Sequence, residues 1–277
     1  MSLSESYLNP DLLNTFSKVF EEYGFDIKRY KPSFMKRRLD RRMRILDVEN
    51  YFEYATILKR NRHEFEELFS SLSINVTNFF RDFIVYDKFK SCIIPKILYD
   101  LKPKEKIRIW SAGCASGEEA YSLAILFSDM ISKFNIEIIA NDINEKAIQY
   151  ALCGKYPEKN IEKLPLDIVS NHFHKTTNSE NNTEYEIMKH VKDLVTFNVC
   201  DILSNNVSNM DVIFCRNVLI YYEKEAQELI MEKFNRCLNP NGYLILGMDE
   251  TMLGRRSERY FYPLMPRERI YQKRTSK

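Results

Sequence analysis

From about residue 105 onward, short apolar runs alternate with amphipathic ones, and this alternation restricts the fold more than any other feature of the chain. "KIRIW", "IEIIAND", "DLVTFNVCD", "MDVIFCRNVL" and "YLILGM" are rich in apolar and β-branched residues and read as buried strands. Between them, "EEAYSLAILFSDMI", "NEKAIQYALCG" and "KEAQELIMEKFNRCL" repeat apolar residues at three- and four-residue steps and read as helices. Strands separated by helices predict an α/β class with a parallel, doubly wound sheet and right-handed crossovers. "NPNG" reads as a turn before the last of these strands. The closing "YFYPLMPRERIYQKR" reads as an edge hairpin, because Pro263 and Pro266 have no N–H to donate into a central ladder.

Two stretches fall outside the alternation. The first 74 residues show only helical spacing: Leu12, Leu13, Phe16, Val19, Phe20 and Tyr23 recur on one face, and Gly24 is a helix stop. In "KPSFMKRRLDRRMRIL", Met35, Leu39, Met43 and Leu46 form one apolar stripe among arginines; "NYFEYATILKR" and "HEFEELFSSLSI" predict two more helices. Residues 155–194 carry Pro157, Pro165, three of the four histidines and the polar run "TTNSENNTE". That is too long for a simple loop, so a small inserted subdomain is expected, with "YEIMKHV" as one strand.

The first strand leads into "RIWSAGCASGEEAYSLA", residues 108–124, which holds Gly113 and Gly117, two of the chain's seven glycines. A strand, a glycine turn and a helix place backbone at a ligand on the carboxyl edge of a sheet. A nucleoside triphosphate would require G-x-x-x-x-G-K-[ST], and no lysine is present. A dinucleotide would prefer G-x-G-x-x-G, but Ala115 stands where the second glycine belongs, and Glu118 and Glu119 would repel a pyrophosphate. A cationic ligand would be favoured by those carboxylates; S-adenosylmethionine carries a sulfonium and an ammonium and no phosphate. The alternative is that the two acids only stabilise the helix N-terminus. Asp142, at the end of the next strand, lies where an acid can take both ribose hydroxyls; its alternative is a helix cap, a role Asn144 can also fill.

Composition excludes other classes. No apolar run approaches the ~18 residues of a membrane-spanning helix, so membrane insertion is not expected. "MSLSESYLNP" lacks the basic and apolar regions of a signal peptide. The six cysteines are scattered without a C-x-x-C, so neither a disulfide framework nor a zinc site is indicated, and a reducing cytoplasm is expected. "HFH" at 172–174 offers two histidines with no further ligands in suitable positions, so no metal is expected.

The quoted turn resembles that of the chemotaxis receptor methyltransferases of the CheR type, whose pattern is similar to SAGxxxGEExYSLA. "NVTNFFRD", Asn75 to Asp82, resembles that family's N-E-T-F-F-F-R-D. "FCRNVLIYY" is similar to FCRNVxIYF, and the basic helix resembles the RR-L-x-RR-M pattern. These matches run in order from residue 31 to about 250. The resemblance implies a Rossmann-like class I methyltransferase domain at 91–277 with its insertion near 155–194. A linker at 75–90 and an all-helical domain at 1–74 precede it. It also implies S-adenosylmethionine as cofactor and glutamates on acidic chemoreceptor helices as acceptors. By resemblance, Asn75, Thr77 and Arg81 reach the cofactor from the linker. Gly113, Glu118 and Asp142 hold its methionine end and ribose. Asp201, Ile202, Arg216 and Asn217 surround the adenine and the floor, and Tyr221 lines the substrate channel. Val76 and Asn78 depart from the family pattern, and Asp201 stands where many relatives have Asn. The insertion lacks the glycine-rich turn that resembles a receptor pentapeptide site, so pentapeptide tethering is not expected.

A glutamate acceptor, with a pKa of about 4.3 when free, is already ionised at neutral pH, so no general base is required. Arg81 can orient a carboxylate bidentately and is the candidate catalytic residue with Tyr221; the alternative for Arg81 is a local ion pair with Asp82. Arg216 has the same ambiguity, and Asn217 can be a helix cap. From Lys28 to Arg44 there are nine Lys/Arg and one acid, Asp40. Such a run is either a solvated face or a steering surface for an acidic partner, and Arg37, Arg38, Arg41, Arg42 and Arg44 are the candidate contacts. Nucleic acid is the rival partner, disfavoured because stacking aromatics are not interleaved along the helix. The rival functions are methylation of RNA or another protein residue, and a non-catalytic adaptor. Nothing in the sequence demands more than a monomer.

Overall fold

The computed structural model describes residues 10–23, 25–72, 77–99, 101–102, 104–250 and 257–275. The N-terminal part is helical: α1 Pro10–Glu21, α2 Pro32–Leu46, α3 Tyr51–Arg60 and α4 Arg62–Leu72. Local chemistry sets these ends. Pro32 opens α2, where a missing N–H costs nothing. Asp47 closes it in the left-handed conformation, its N–H bonded to the last-turn carbonyls. The Asn50 side chain caps α3 by accepting the Phe52 and Glu53 N–H groups. Phe16, Val19 and Phe20 of α1 meet Phe34, Met35, Leu39 and Met43 of α2, Tyr54 and Leu58 of α3 and Phe65, Leu68 and Leu72 of α4. Each such burial stabilises by roughly 1.5–3 kcal/mol relative to exposure. Leu46 departs from the expected stripe: in the last turn of α2 it is 39% exposed.

After residues 77–82, α5 (Phe83–Lys88) continues through a π-helical turn, Phe89–Ile93, into α6 (Ile94–Tyr99). This helical run crosses the boundary at residue 90 drawn from the sequence. The sheet strands are β1 Lys106–Ala112 and β2 Asn135–Asp142, then, after the insertion, β6 Val195–Val199, β7 Met210–Cys215 and β8 Leu238–Leu246. The insertion supplies β3 Lys155–Pro157, β4 Phe173–Thr177 and β5 Thr183–Ile187, and the chain closes with β9 Phe261–Met265 and β10 Ile270–Lys273. The larger helices between strands are α7 Glu118–Phe127 and α8 Glu145–Cys153; α9 Glu158–Ile161, α10 Leu166–His172 and α11 Lys189–Lys192 belong to the insertion. Helix α12 is Lys224–Cys237 and α13 Ser257–Tyr260.

Among the described residues the main sheet has seven strands in the order β6-β2-β1-β7-β8-β10-β9. β6, β2, β1, β7 and β8 pair in parallel, and β10 and β9 pair antiparallel beyond them. Pro263 lies on β9, the outermost strand, as its missing N–H requires. The sheet is buried on both faces. Ile107 and Ile109 of β1 join the core with α7, whereas Trp110 and Ala112 point the other way, toward α12 and the N-terminal helices. "NPNG" is not an isolated turn: β8 runs through it, with the β7 pairing shifted between Met210 and Val212. The insertion forms its own antiparallel sheet, β3-β5-β4. In "YEIMKHV" only the first part is strand, since Lys189–Lys192 is helical.

Candidate active site

The chain turns to one side of β1 through β2 and β6, then crosses to the other side through β7. The carboxyl ends of β1 and β7 therefore diverge at a switch point, where open α/β sheets hold ligands. A cavity lies there. Gly113, Cys114 and Ala115 line it from the turn after β1, and Asn141, Asp142 and Ile143 from the end of β2. Arg216, Asn217 and Val218 follow β7; Thr77, Asn78, Arg81 and Tyr86 close it from the linker side.

The glycine turn is a shaped wall and not an anion cradle. The Gly113 and Cys114 N–H groups donate to the Asn141 carbonyl at 2.8 and 2.9 Å, and Gly117 N–H donates to Cys114. Ala115 N–H donates to Asp142 Oδ2 at 2.9 Å. Four backbone donors of the turn are thus satisfied inside it. Gly113 is required by shape: its φ is +84°, and a Cβ there would lie 2.6 Å from Val218 Cγ2. Asp142 also accepts the Asn144 N–H, while the Asn144 side chain caps α8 at Ala147. Each of the two helix-start roles is therefore filled by a different residue.

Adjacent acids take different places. Glu119 lines the main cavity and accepts a hydrogen bond from Ser111 Oγ at 2.8 Å. Glu118 does not line it: 2% exposed, it is held by Ser116 Oγ at 2.7 Å and Asn160 Nδ2 at 3.1 Å. It faces an adjoining cleft with Lys146, Tyr150 and Lys159 that shares Thr77 and Asn78 with the main cavity. Burial pushes both carboxyls up to about 7, against the partial relief of their hydroxyl partners and, for Glu119, of Arg216.

Arg216 ties linker to sheet. Its Nη2 donates to Asp82 Oδ2 at 2.6 Å and its Nη1 to the Arg81 carbonyl at 2.8 Å. The local partner imagined for Arg81 is thus engaged by Arg216. Asn217 sits at φ +60°, and the following turn is held by Glu250, a residue the sequence reading missed. Glu250 accepts N–H groups from Asn217, Val218, Leu219 and Gly247 at 2.7–2.9 Å. Its only sequence signal is an acid just past the last parallel strand. Three buried polar atoms of cavity-lining residues lack a well-formed hydrogen bond among the described residues: Asn217 Oδ1, and Arg216 Nε and Tyr86 Oη, whose side chains interact with each other. A polar ligand would satisfy them.

Of the other expected site residues, Thr77, Arg81, Ile202 and Tyr221 line the cavity. Asp201 does not: its Oδ1 accepts the Leu203 N–H at 2.7 Å and faces Arg29 at 3.6 Å. Asn75 lies outside the described residues. On α2, Arg37, Arg41 and Arg44 are exposed, and Arg38 is half-buried with its guanidinium 5.2 Å from the Phe34 ring. Arg42 corrects the expectation for that helix. It pairs with buried Glu64 at 3.0 and 2.6 Å, and Tyr54 Oη donates to the same carboxylate at 2.7 Å. His172 and His190 form a 3.2 Å contact in the insertion, and among the described residues no group of three or more metal-ligating side chains occurs.

Comparison with known proteins adds a family to this geometry. The family model described as "CheR methyltransferase, SAM binding domain" matches residues 75–266, and "CheR methyltransferase, all-alpha domain" matches 10–73. A chemotaxis protein methyltransferase of Borreliella burgdorferi is 28% identical over 95% of this chain and 95% of its own length. That of Listeria monocytogenes is 30% identical over 89% of this chain and 92% of its own. Among solved structures, that of the DszA carbon methyltransferase is 18% identical, with a TM-score of 0.41, over 79% of this chain and 48% of the other.

Proposed function

The chain belongs to the CheR methyltransferase family, and we propose that it esterifies glutamate side chains on the cytoplasmic helices of chemoreceptors. The observation that carries this reading is the single cavity in which Asp142, Glu119, Arg81 and Tyr221 meet under a helix with exposed arginines. Asp142, on the cavity wall at the end of β2, takes the ribose hydroxyls in this reading. Glu119, with Glu118 behind it in the adjoining cleft, gives the methionine end an acidic wall suited to a sulfonium and an ammonium. Arg216 Nε and Asn217 Oδ1 are polar atoms that S-adenosylmethionine can satisfy.

S-adenosylmethionine supplies an electrophilic methyl carbon when bound. Transfer to an acceptor carboxylate oxygen would form a C–O bond as the S–C bond breaks, with its electron pair left on sulfur. The products are a methyl ester and S-adenosylhomocysteine, and no proton moves. The chain's own residues contribute orientation. Arg81 presents a guanidinium at the cavity, and Tyr221, packed 4.8 Å from Phe34, sits between the cavity and α2. Alignment of this kind supplies a large share of such a barrier. Arg37, Arg41 and Arg44 would steer acidic receptor helices, with Arg38 nearer the opening. No helix among the described residues is long and apolar enough to cross a membrane; we place the reaction in the cytoplasm, carried out by a monomer.

The test uses methyl-labelled S-adenosylmethionine with chemoreceptor-containing membranes, followed by mild alkali. Volatile labelled methanol is expected. Cofactor binding without base-labile label would overturn the glutamate assignment in favour of another acceptor.

A further inference from the structure

The helical domain reaches the cavity through Leu72, at the end of α4, and through Tyr30. Tyr30, just before α2, lines the cavity next to Tyr222, and the two are 4% and 2% exposed. Their hydroxyls are 2.9 Å apart and their rings 4.5 Å apart. An isolated antiparallel bridge joins these two residues. Lys31 N–H donates to the Tyr221 carbonyl at 2.9 Å, and Glu223 N–H to the Arg29 carbonyl at 2.8 Å. Arg29 and Asp201 add an ion pair across the same seam. Phe25 stacks on Tyr30 at 5.0 Å, so the tyrosine is continuous with the helical core.

Hydroxyl chemistry makes this more than a seam. Each tyrosine has one O–H donor. In the pair one hydroxyl donates and the other accepts, and the accepting hydroxyl keeps its own O–H. Among the described residues neither hydroxyl has another hydrogen-bond partner. Burial, with Asp201 and Asp142 nearby, keeps the Tyr30 hydroxyl protonated and therefore a donor. Asp142, Ile143, Cys200 and Ile202, from the carboxyl ends of β2 and β6, line the same cavity, and Asp142 is near enough to act on the Tyr30 hydroxyl.

We propose that the Tyr30–Tyr222 hydroxyl pair is a binding element for the adenosyl group, donating to a ring nitrogen or ribose oxygen, so that the helical domain completes the cofactor site. This rests on S-adenosylmethionine being the ligand of the cavity. Cofactor affinity then depends on docking of the helical domain, and bound cofactor in turn tightens the seam.

The experiment is calorimetry on the full chain with S-adenosylhomocysteine and with adenosine alone, for wild type, Tyr30→Phe and Tyr222→Phe. Both variants keep the rings and delete one hydroxyl, so either serves if the other does not fold. Each is expected to weaken both ligands by the same factor, roughly three- to tenfold, with the double variant much weaker in effect than the product of the singles. Unchanged affinities in a folded variant, or a loss for S-adenosylhomocysteine but not adenosine, overturn the proposal. A fall in melting temperature with unchanged affinity does the same, since that is what a purely structural seam predicts. Wild type that binds neither ligand would overturn the cofactor reading itself, and this inference with it.

Discussion

The carboxyl ends of β1, β2 and β7 and the basic helix α2 are both dense in charge, yet they hold it in opposite ways. At the strand ends the carboxyls are buried and bonded to backbone or hydroxyls: Asp142 to Ala115 and Asn144, Glu119 to Ser111, Glu250 to four N–H groups. On α2 three arginines face solvent and one, Arg42, is internal. Buried charge costs desolvation and is kept only where geometry or a ligand repays it; exposed charge is nearly neutral for stability and acts over distance. In the proposed reading the strand ends hold a fixed small cation, and the helix meets a larger acidic surface.

The sharpest way to break this comparison is within the helix itself. Arg42→Ala strands the Glu64 carboxylate, whose side chain is 4% exposed, and is expected to cost about 3 kcal/mol. Arg41→Ala should stay within about 0.5 kcal/mol of wild type in chemical denaturation. Equal costs would mean that the two arginines play the same part. At the other region, Asp142→Ala removes the acceptor of the Ala115 N–H and the proposed ribose ligand together. Calorimetry should show S-adenosylmethionine affinity lower by about ten- to a hundredfold; an unchanged affinity would remove Asp142 from the site.

A smaller effect comes from pH. Glu118 and Glu119 are raised from 4.5 to about 7, so the folded protein holds protons that the unfolded chain has lost. Their contribution to stability is complete below pH 4.5 and falls as pH rises through 7. A cationic ligand favours the ionised carboxyls, so affinity should rise a few-fold over the same window with proton release. S-adenosylmethionine should gain more than S-adenosylhomocysteine, which lacks the sulfonium. Identical pH profiles for the two would place the sulfonium away from these acids. The smallest expected effect is that of Arg41→Ala on receptor methylation, a few-fold rise in receptor KM that fades as added salt screens the surface.

How legible each part was follows from the range of its cause. The parallel sheet, the helical N-terminus, Gly113 and Asp142 rest on local periodicity, backbone conformation and strand ends, all written in contiguous residues. The choice between Glu118 and Glu119 was not, because consecutive residues on a helix point about 100° apart and only the docked helix sets which faces the cavity. Asp201 and Ile202 divide in the same way. Arg42 looked like its neighbours because its partner, Glu64, lies on another helix. Glu250 and Tyr30 act through contacts with segments far away in the chain, and their neighbours in sequence carry no sign of it.

The most direct test of the central claim is initial-rate methylation of receptor membranes over both substrate concentrations, with wild type, Asp142→Ala and Arg41→Ala. The account predicts a crossed pattern: Asp142→Ala raises KM for S-adenosylmethionine and leaves that for receptor, while Arg41→Ala does the reverse. Both variants moving the same KM, or Arg41→Ala moving neither, would contradict the division between a cofactor pocket and a receptor-facing helix.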